Sequence, residues 1–266
     1  MFVLAQIGLK ERRWMSQSLR IPEILEIARR DGRVTVDGLA EHFGVTLQTI
    51  RRDLTDLAEA GRLERVHGGA IMPSGISNIA YEERRALNQA AKDRIAAATA
   101  QMIPNDVALF LNIGTTTEAV AHALLHHQNI LVVTNNINVA QILSANPDSH
   151  VIVTGGTMRR SDGGLVGEHA ARCVREFKFD ISVIGCSALD HDGDFLDFDM
   201  QEVVVSQAGL QQARQRFLVC DHSKLSRKAP ARIGALADLD GIFTDQSLPD
   251  TLVRNSAECG VEIIVA

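Results

Sequence analysis

The sequence predicts an α/β chain in two domains: a small module of three helices and a β-hairpin over residues 17–72, a linker over 73–80, and a parallel α/β domain over 81–266. Three observations lead there. Apolar residues recur at helical spacing as far as Ala58, then give way to a short β pattern that ends in Gly68-Gly69. Pro73-Ser74-Gly75 breaks both periods. Beyond it, near-continuous apolar runs alternate with helical stretches, the mark of strands buried on both faces of a parallel sheet.

Residues 1–16 carry no clear period, and Met15 is a candidate start. The segment Met1–Leu9 is apolar, but Lys10, Arg12 and Arg13 follow it rather than precede it, the wrong order for a signal peptide. Ile21, Ile24, Leu25 and Ala28 mark a first helix that ends near Asp31-Gly32. Thr35 caps a second, which holds Leu39, Ala40 and Phe43. Gly44 makes the turn into a third helix, capped by Thr46 and ended by Gly61, with Leu47, Ile50, Leu54, Leu57 and Ala58 on one buried stripe. At the helical rotation per residue, Gln48, Thr49, Arg52 and Asp56 take the opposite face and Arg51 lies at the stripe's edge. Leu63–His67 reads as a strand and Gly68-Gly69 as a turn. Three short helices, the last two joined tightly, followed by a hairpin, describe a winged helix-turn-helix, which sets one helix in the major groove of DNA. Glutamine and arginine carry paired groups that match adenine and guanine edges there, and Arg51 is placed to reach a phosphate.

Composition bounds the remainder. With 45% hydrophobic and 23% charged residues, the chain has an ordinary globular balance. No run approaches the roughly 18 apolar residues of a membrane helix. Cys173, Cys186, Cys220 and Cys259 are scattered without a CxxC pair, as expected for reduced thiols in a cytoplasmic protein. Net charge is −6, and residues 1–70 carry 11 Lys+Arg against 10 Asp+Glu. DNA binding therefore rests on where the arginines sit, not on their number.

In the second domain, Tyr81 to Met102 reads as a polar helix, and its Glu82-Glu83-Arg84-Arg85 run as a solvated face. The strands are Val107–Leu111, Ile130–Thr134, Val151–Thr154, Ile181–Gly185, Phe217–Cys220, Ile242–Thr244 and Val261–Val265. Ligands of such sheets bind beyond the carboxyl ends of the strands. There the sequence offers Gly114-Thr115-Thr116 before a helix over Glu118–Leu125, Asn135-Asn136, Gly155–Arg160 with Arg159, and Asp221-His222-Ser223-Lys224. A glycine and hydroxyls at a helix start favour a phosphate, while the missing lysine argues against a nucleotide triphosphate loop. Asp190–Asp194 with Asp197, Asp199 and Glu202 looks like a calcium loop only superficially. Its sixth position is Phe195 and its twelfth Gln201, so no metal is expected.

The stretch TLQTIRRDLTDLAEAGRLERVHGGA, from Thr46, resembles the DNA-binding motif of the DeoR-type bacterial transcription regulators, and the resemblance runs from about Ser18 onward. It implies that Thr46, Gln48, Thr49, Arg51 and Arg52, with Arg65 and His67 of the wing, contact double-stranded operator DNA. IGTTTEAVAHALL, TNNINVA, GGTMRRSDGGLVGE, FLDFDMQEV and VCDHSKLSR resemble the branch that represses glycerol 3-phosphate regulons. The second domain then resembles the ribose-5-phosphate isomerase fold. By that resemblance Gly114, Thr115 and Thr116 hold the phosphate of a small effector such as glycerol 3-phosphate, with Asn135, Arg159, Asp221 and Lys224 nearby. No cofactor is implied; a two-fold operator implies at least a dimer and members of the family are often tetramers, so a homodimer or homotetramer is expected. The chain departs from the family after Glu202, where Val203–Gln207 replace the usual basic pair. The alternatives are a regulator responding to another sugar phosphate and a sugar-phosphate isomerase carrying a DNA-binding module.

Overall fold

Two threonines and a glycine fix the geometry of the N-terminal unit. In the computed structural model, which describes residues 17–31, 33–60, 62–66, 68–71 and 81–266, this unit comprises α1 (Gln17–Asp31), β1 (Arg33–Thr35), α2 (Val36–Phe43), α3 (Leu47–Glu59), β2 (Glu64–Val66) and β3 (Gly69–Ile71). Thr35 Oγ1 accepts from Gly38 N at 3.1 Å and starts α2. Gly44, at φ +63°, supplies the left-handed residue that ends it. Thr46 Oγ1 accepts from Thr49 N at 3.2 Å and starts α3. The strands form an antiparallel sheet in the order β1-β3-β2. Ile24, Leu25, Leu39, Ile50, Leu54, Leu57 and Leu63 form its core.

The buried stripe of α3 differs from the sequence expectation at two positions. Leu47 is 40% exposed because the first residue of the helix overhangs the core. Asp53, in phase with Ile50 and Leu57, is 1% exposed instead. It is buried because Arg20 of α1 reaches it with Nε at 2.9 Å and Nη2 at 3.3 Å. Gly61, His67 and the expected linker over 73–80 lie outside the described residues.

The second unit holds α4 (Tyr81–Ala86), α5 (Gln89–Gln101), β4 (Ala108–Leu111), α6 (Thr115–Ala123), β5 (Ile130–Thr134), α7 (Ile137–Leu143), β6 (Ser149–Val153), β7 (Thr157–Met158), β8 (Leu165–Val166) and α8 (Glu168–Arg175). It continues through β9 (Phe179–Gly185), β10 (Ala188–Leu189), β11 (Phe195–Asp197), α9 (Met200–Gln211), β12 (Ala213–Val219), β13 (Ala231–Gly234), β14 (Gly241–Thr244), α10 (Asp250–Cys259) and β15 (Glu262–Val265). All seven expected strands are present, in one parallel sheet of order β15-β14-β12-β9-β4-β5-β6. One apolar cluster gathers around Phe110, Phe179, Phe195 and Leu218, and a second around Ile95, Leu111, Val132 and Phe243. The sheet is covered on both faces, which is why its strands read as continuous apolar runs.

Two helical expectations need correction. The single helix over Tyr81–Met102 is two, broken where Asn88 adopts φ +54°. Its side-chain amide donates to Asp221 Oδ1 at 2.9 Å, a tertiary contact that overrides local helix preference. The helix expected over Glu118–Leu125 begins at Thr115, directly after Gly114. From β4 the chain winds outward through β5 and β6, then returns to add β9 on the other side of β4. The carboxyl ends of β4 and β9 thus form the topological switch point, where open α/β sheets present a crevice.

Candidate functional site

In the N-terminal unit, the exposed face of α3 carries Gln48, Arg51 and Arg52, with Thr49 half-buried beside them. Thr46 and Thr49 are tied to each other through their hydroxyls at 2.9 Å, so both also serve the cap. Arg65 stands exposed on β2. Gln48 and Arg52 are one turn apart on one face, the spacing at which two side chains reach successive base edges.

At the switch point of the second unit, Asn112 ties the two central strands together. Its amide oxygen accepts from Gly185 N at 2.9 Å, and its amide nitrogen donates to Ser206 Oγ at 3.2 Å. Gly114 follows at φ +153° and ψ 149°, a conformation open essentially to glycine alone. The Thr117 hydroxyl lies 2.7 Å from the Gly114 carbonyl and 2.8 Å from that of Asn112, holding the turn. No side chain caps α6, so the N–H groups of its first turn face outward with the positive end of the helix dipole. Gly114, Thr115 and Thr116 form one wall of a small cleft. Gly185, Cys186 and Ser187 beyond β9 form a second, with Arg84, Asp197, Glu202 and Lys224 closing the sides.

Charge is concentrated around this cleft. Burial lowers the Lys92 ammonium to about 8, offset by Asp221 and reinforced by Lys224, Arg84 and Arg227. Burial likewise lowers Lys224 to about 8, with Arg227 adding to it and Asp221 opposing. Arg227 is lowered, again by burial. Asp221 is held below the ordinary carboxylate range, because Lys224, Ser223 and Asn88 outweigh the effect of burial. Lys92, Lys224 and Arg227 therefore share Asp221, while Arg84 pairs with Asp162. Arg84 Nε and Arg227 Nη1 are buried without a hydrogen-bond partner. Unpaired buried donors and depressed ammonium groups mark a site that a bound anion would stabilise. On the far side, burial and Asp197 push Glu202 up to about 8 against the pull of Arg159. The Cys220 thiol, hydrogen-bonded with Cys186 and buried, is raised as well.

Comparison with known proteins follows the same division. Residues 20–75 match the model of the DeoR-like helix-turn-helix domain, and residues 87–246 match the DeoR C terminal sensor domain. The chain belongs to the DeoR family. It is 42% identical over 240 residues to the glycerol-3-phosphate regulon repressor of Escherichia coli (strain K12), covering 90% of this chain and 95% of that one. To the repressor of the same name from Haemophilus influenzae it is 40% identical over 251 residues, covering 94% and 98%. Among solved structures it is similar to ribose 5 phosphate isomerase A from Neisseria gonorrhoeae at 12% identity and a TM-score of 0.38, over 50% of this chain and 52% of that one.

In this DeoR-family sensor domain, the residues singled out from sequence fall in different places. Gly114, Thr115, Thr116 and Lys224 meet in the cleft. Asp221 is adjacent, accepting from Asn88 and from Ser223 N at 3.0 Å. Asn135 is fully buried and donates to Leu165 O at 3.0 Å, away from the cleft lining. Arg159 is committed to carboxylates: Asp162 at 2.9 and 2.7 Å, Asp199 at 3.0 Å and Glu202 at 2.7 Å. Burial opposes its charge, and Asp162 and Glu202 more than compensate. It braces the cleft wall instead of facing into it. Arg84 departs from the solvated face expected for its run, and Lys92 was not anticipated. Lys92 lies in phase with Ala91, Ile95 and Ala96, so its signal was a lysine on an apolar helical stripe. The acidic loop splits: Asp190 Oδ1 accepts from Asp192 N at 3.1 Å and Asp194 N at 3.0 Å as a closed turn, while Asp197 and Glu202 reach the cleft.

Proposed function

We propose that this protein is a cytoplasmic transcriptional repressor that binds double-stranded operator DNA through α3 and the wing and is released by glycerol 3-phosphate in the switch-point cleft. One observation carries the effector reading: an uncapped helix N-terminus at Gly114-Thr115-Thr116 faces Arg84 and the buried Lys224 across a narrow cleft. A phosphate dianion there gains charge-assisted hydrogen bonds from backbone and side chains together. Asp197 and Glu202 on the opposite side are acceptors suited to the hydroxyls of a short polyol. The names of the two relatives support glycerol 3-phosphate over other phosphates. Gln48, Arg51, Arg52, Thr46, Thr49 and Arg65 supply the DNA contacts in this reading, on a two-fold operator bound by a homodimer or homotetramer.

A gel shift on the protein's own upstream region tests both halves. Glycerol 3-phosphate should release the complex, and glycerol, lacking the anchor, should not. Release by a different sugar phosphate alone would replace the effector and keep the repressor. A fragment left unshifted at every protein concentration would remove that region as an operator.

A further inference from the structure

The reading of the cleft as a phosphate site leaves open how occupancy is passed on, and one short helix is placed to do it. α4 is the first described element after residues 72–80, which join the two units in sequence. Its contacts converge on the start of α6. Tyr81 donates its hydroxyl to Glu118 Oε2 at 2.8 Å and accepts from Asn138 Nδ2 at 3.0 Å. The Arg84 carbonyl accepts from Lys92 Nζ and lies 3.5 Å from Thr115 Oγ1. The Arg84 guanidinium lines the cleft, with Nη2 3.1 Å from Asp162 Oδ2.

That last contact is replaceable. Asp162 is already gripped by Nε and Nη2 of Arg159 at 2.9 and 2.7 Å, so it stays paired if Arg84 leaves. Arg84 in turn has a buried Nε without a partner. A phosphate at the head of α6 offers several acceptor oxygens to a planar fork that at present uses one arm on Asp162. We infer that Arg84 is the coupling residue of the sensor: phosphate in the cleft draws its guanidinium off Asp162 and shifts α4, the first described helix of the sensor unit. This rests on the phosphate-effector reading, and Arg84 acts here as both a ligand contact and a relay.

The test uses the full chain, glycerol 3-phosphate and operator DNA. Calorimetry measures ligand affinity, and fluorescence anisotropy measures operator affinity with and without saturating ligand. The parent should lose operator affinity by a factor of about 5–150. Arg84→Gln should still bind ligand, more weakly, yet show a release factor close to one at saturation. Tyr81→Phe removes the hydroxyl that clasps α4 without touching the cleft. It should bind ligand several-fold more tightly than the parent and release operator at correspondingly lower ligand concentration. Full release of saturated Arg84→Gln would overturn the coupling role. So would loss of all ligand binding in Arg84→Gln together with parental behaviour of Tyr81→Phe, since Arg84 would then be a contact only. A parent that binds neither glycerol 3-phosphate nor inorganic phosphate would defeat the effector reading itself, and the coupling role with it.

Discussion

Effector affinity should fall steeply as pH rises through about 8, and Lys224 in the cleft lining, with its buried neighbour Lys92, sets the size of the fall. In the ligand-free domain, Lys92 and Lys224 both stand at about 8, depressed by burial and by neighbouring cations. A bound dianion favours their charged forms and raises both values, so binding takes up protons near pH 8. Affinity is then fully present below that point and lost above it. Each ammonium is roughly nine-tenths formed at pH 7 and one-tenth formed at pH 9, so one lysine accounts for about a tenfold loss and two for about 100-fold. Below about pH 6 the phosphate loses its second charge, so affinity should decline on that side as well. Calorimetry with glycerol 3-phosphate from pH 6 to 9, in buffers of different ionisation enthalpy, reads both the affinity and the proton uptake. Flat affinity between pH 7 and 9, or no proton uptake at pH 8, would refute the argument. Lys224→Met should keep only about half of the slope on the alkaline side, and its binding at pH 7 should be weaker.

The remaining predictions concern single residues. Arg52→Ala should cost about 1–3 kcal/mol of specific operator binding while the helix content of the chain stays the same, as read by anisotropy and circular dichroism. Gly114→Val places a β-branched side chain at φ +153° and within about 3.3 Å of Thr117 Oγ1, so it should abolish effector binding and leave a repressor that ligand cannot release. Parental release by that variant would place the effector elsewhere. Arg20→Met strands the buried Asp53 carboxylate and should destabilise the N-terminal unit by about 3–5 kcal/mol, a large share of a small domain's stability. A melting curve should then show that unit unfolding first, with ligand binding to the second unit retained.

What could be read in advance follows from how far each signal reaches along the chain. The seven strands were legible because a sheet covered on both faces leaves no polar alternation to confuse them. Thr35, Gly44 and Thr46 were legible because caps act within four residues. The glycine and threonines at the head of α6 were visible for the same reason. Arg84 was not, because a run of mixed charge on a helix looks the same whether one arginine faces a cleft or water. Nothing local announced the break at Asn88, which depends on Asp221, 133 residues away. Arg159 misled in the opposite sense: a strand-end arginine looks like a ligand group until Asp162, Asp199 and Glu202 are seen around it. Asp53 and Lys92 were charged residues in phase with buried stripes, and that phase was the available clue.

The position of the cleft at the switch point has a consequence for how the domain comes to exist. Its walls are drawn from Arg84 to Lys224, so no early portion of the nascent polypeptide can hold the ligand. Recognition has to wait until β9 and the segment after β12 have joined β4. A ligand that binds only the completed sheet favours completion, by about 2.7 kcal/mol at 100 times its dissociation constant. Cells rich in the metabolite would then carry a sensor that is harder to melt and slower to be cleared by proteases, so its abundance would follow the same signal that its DNA-binding state reports.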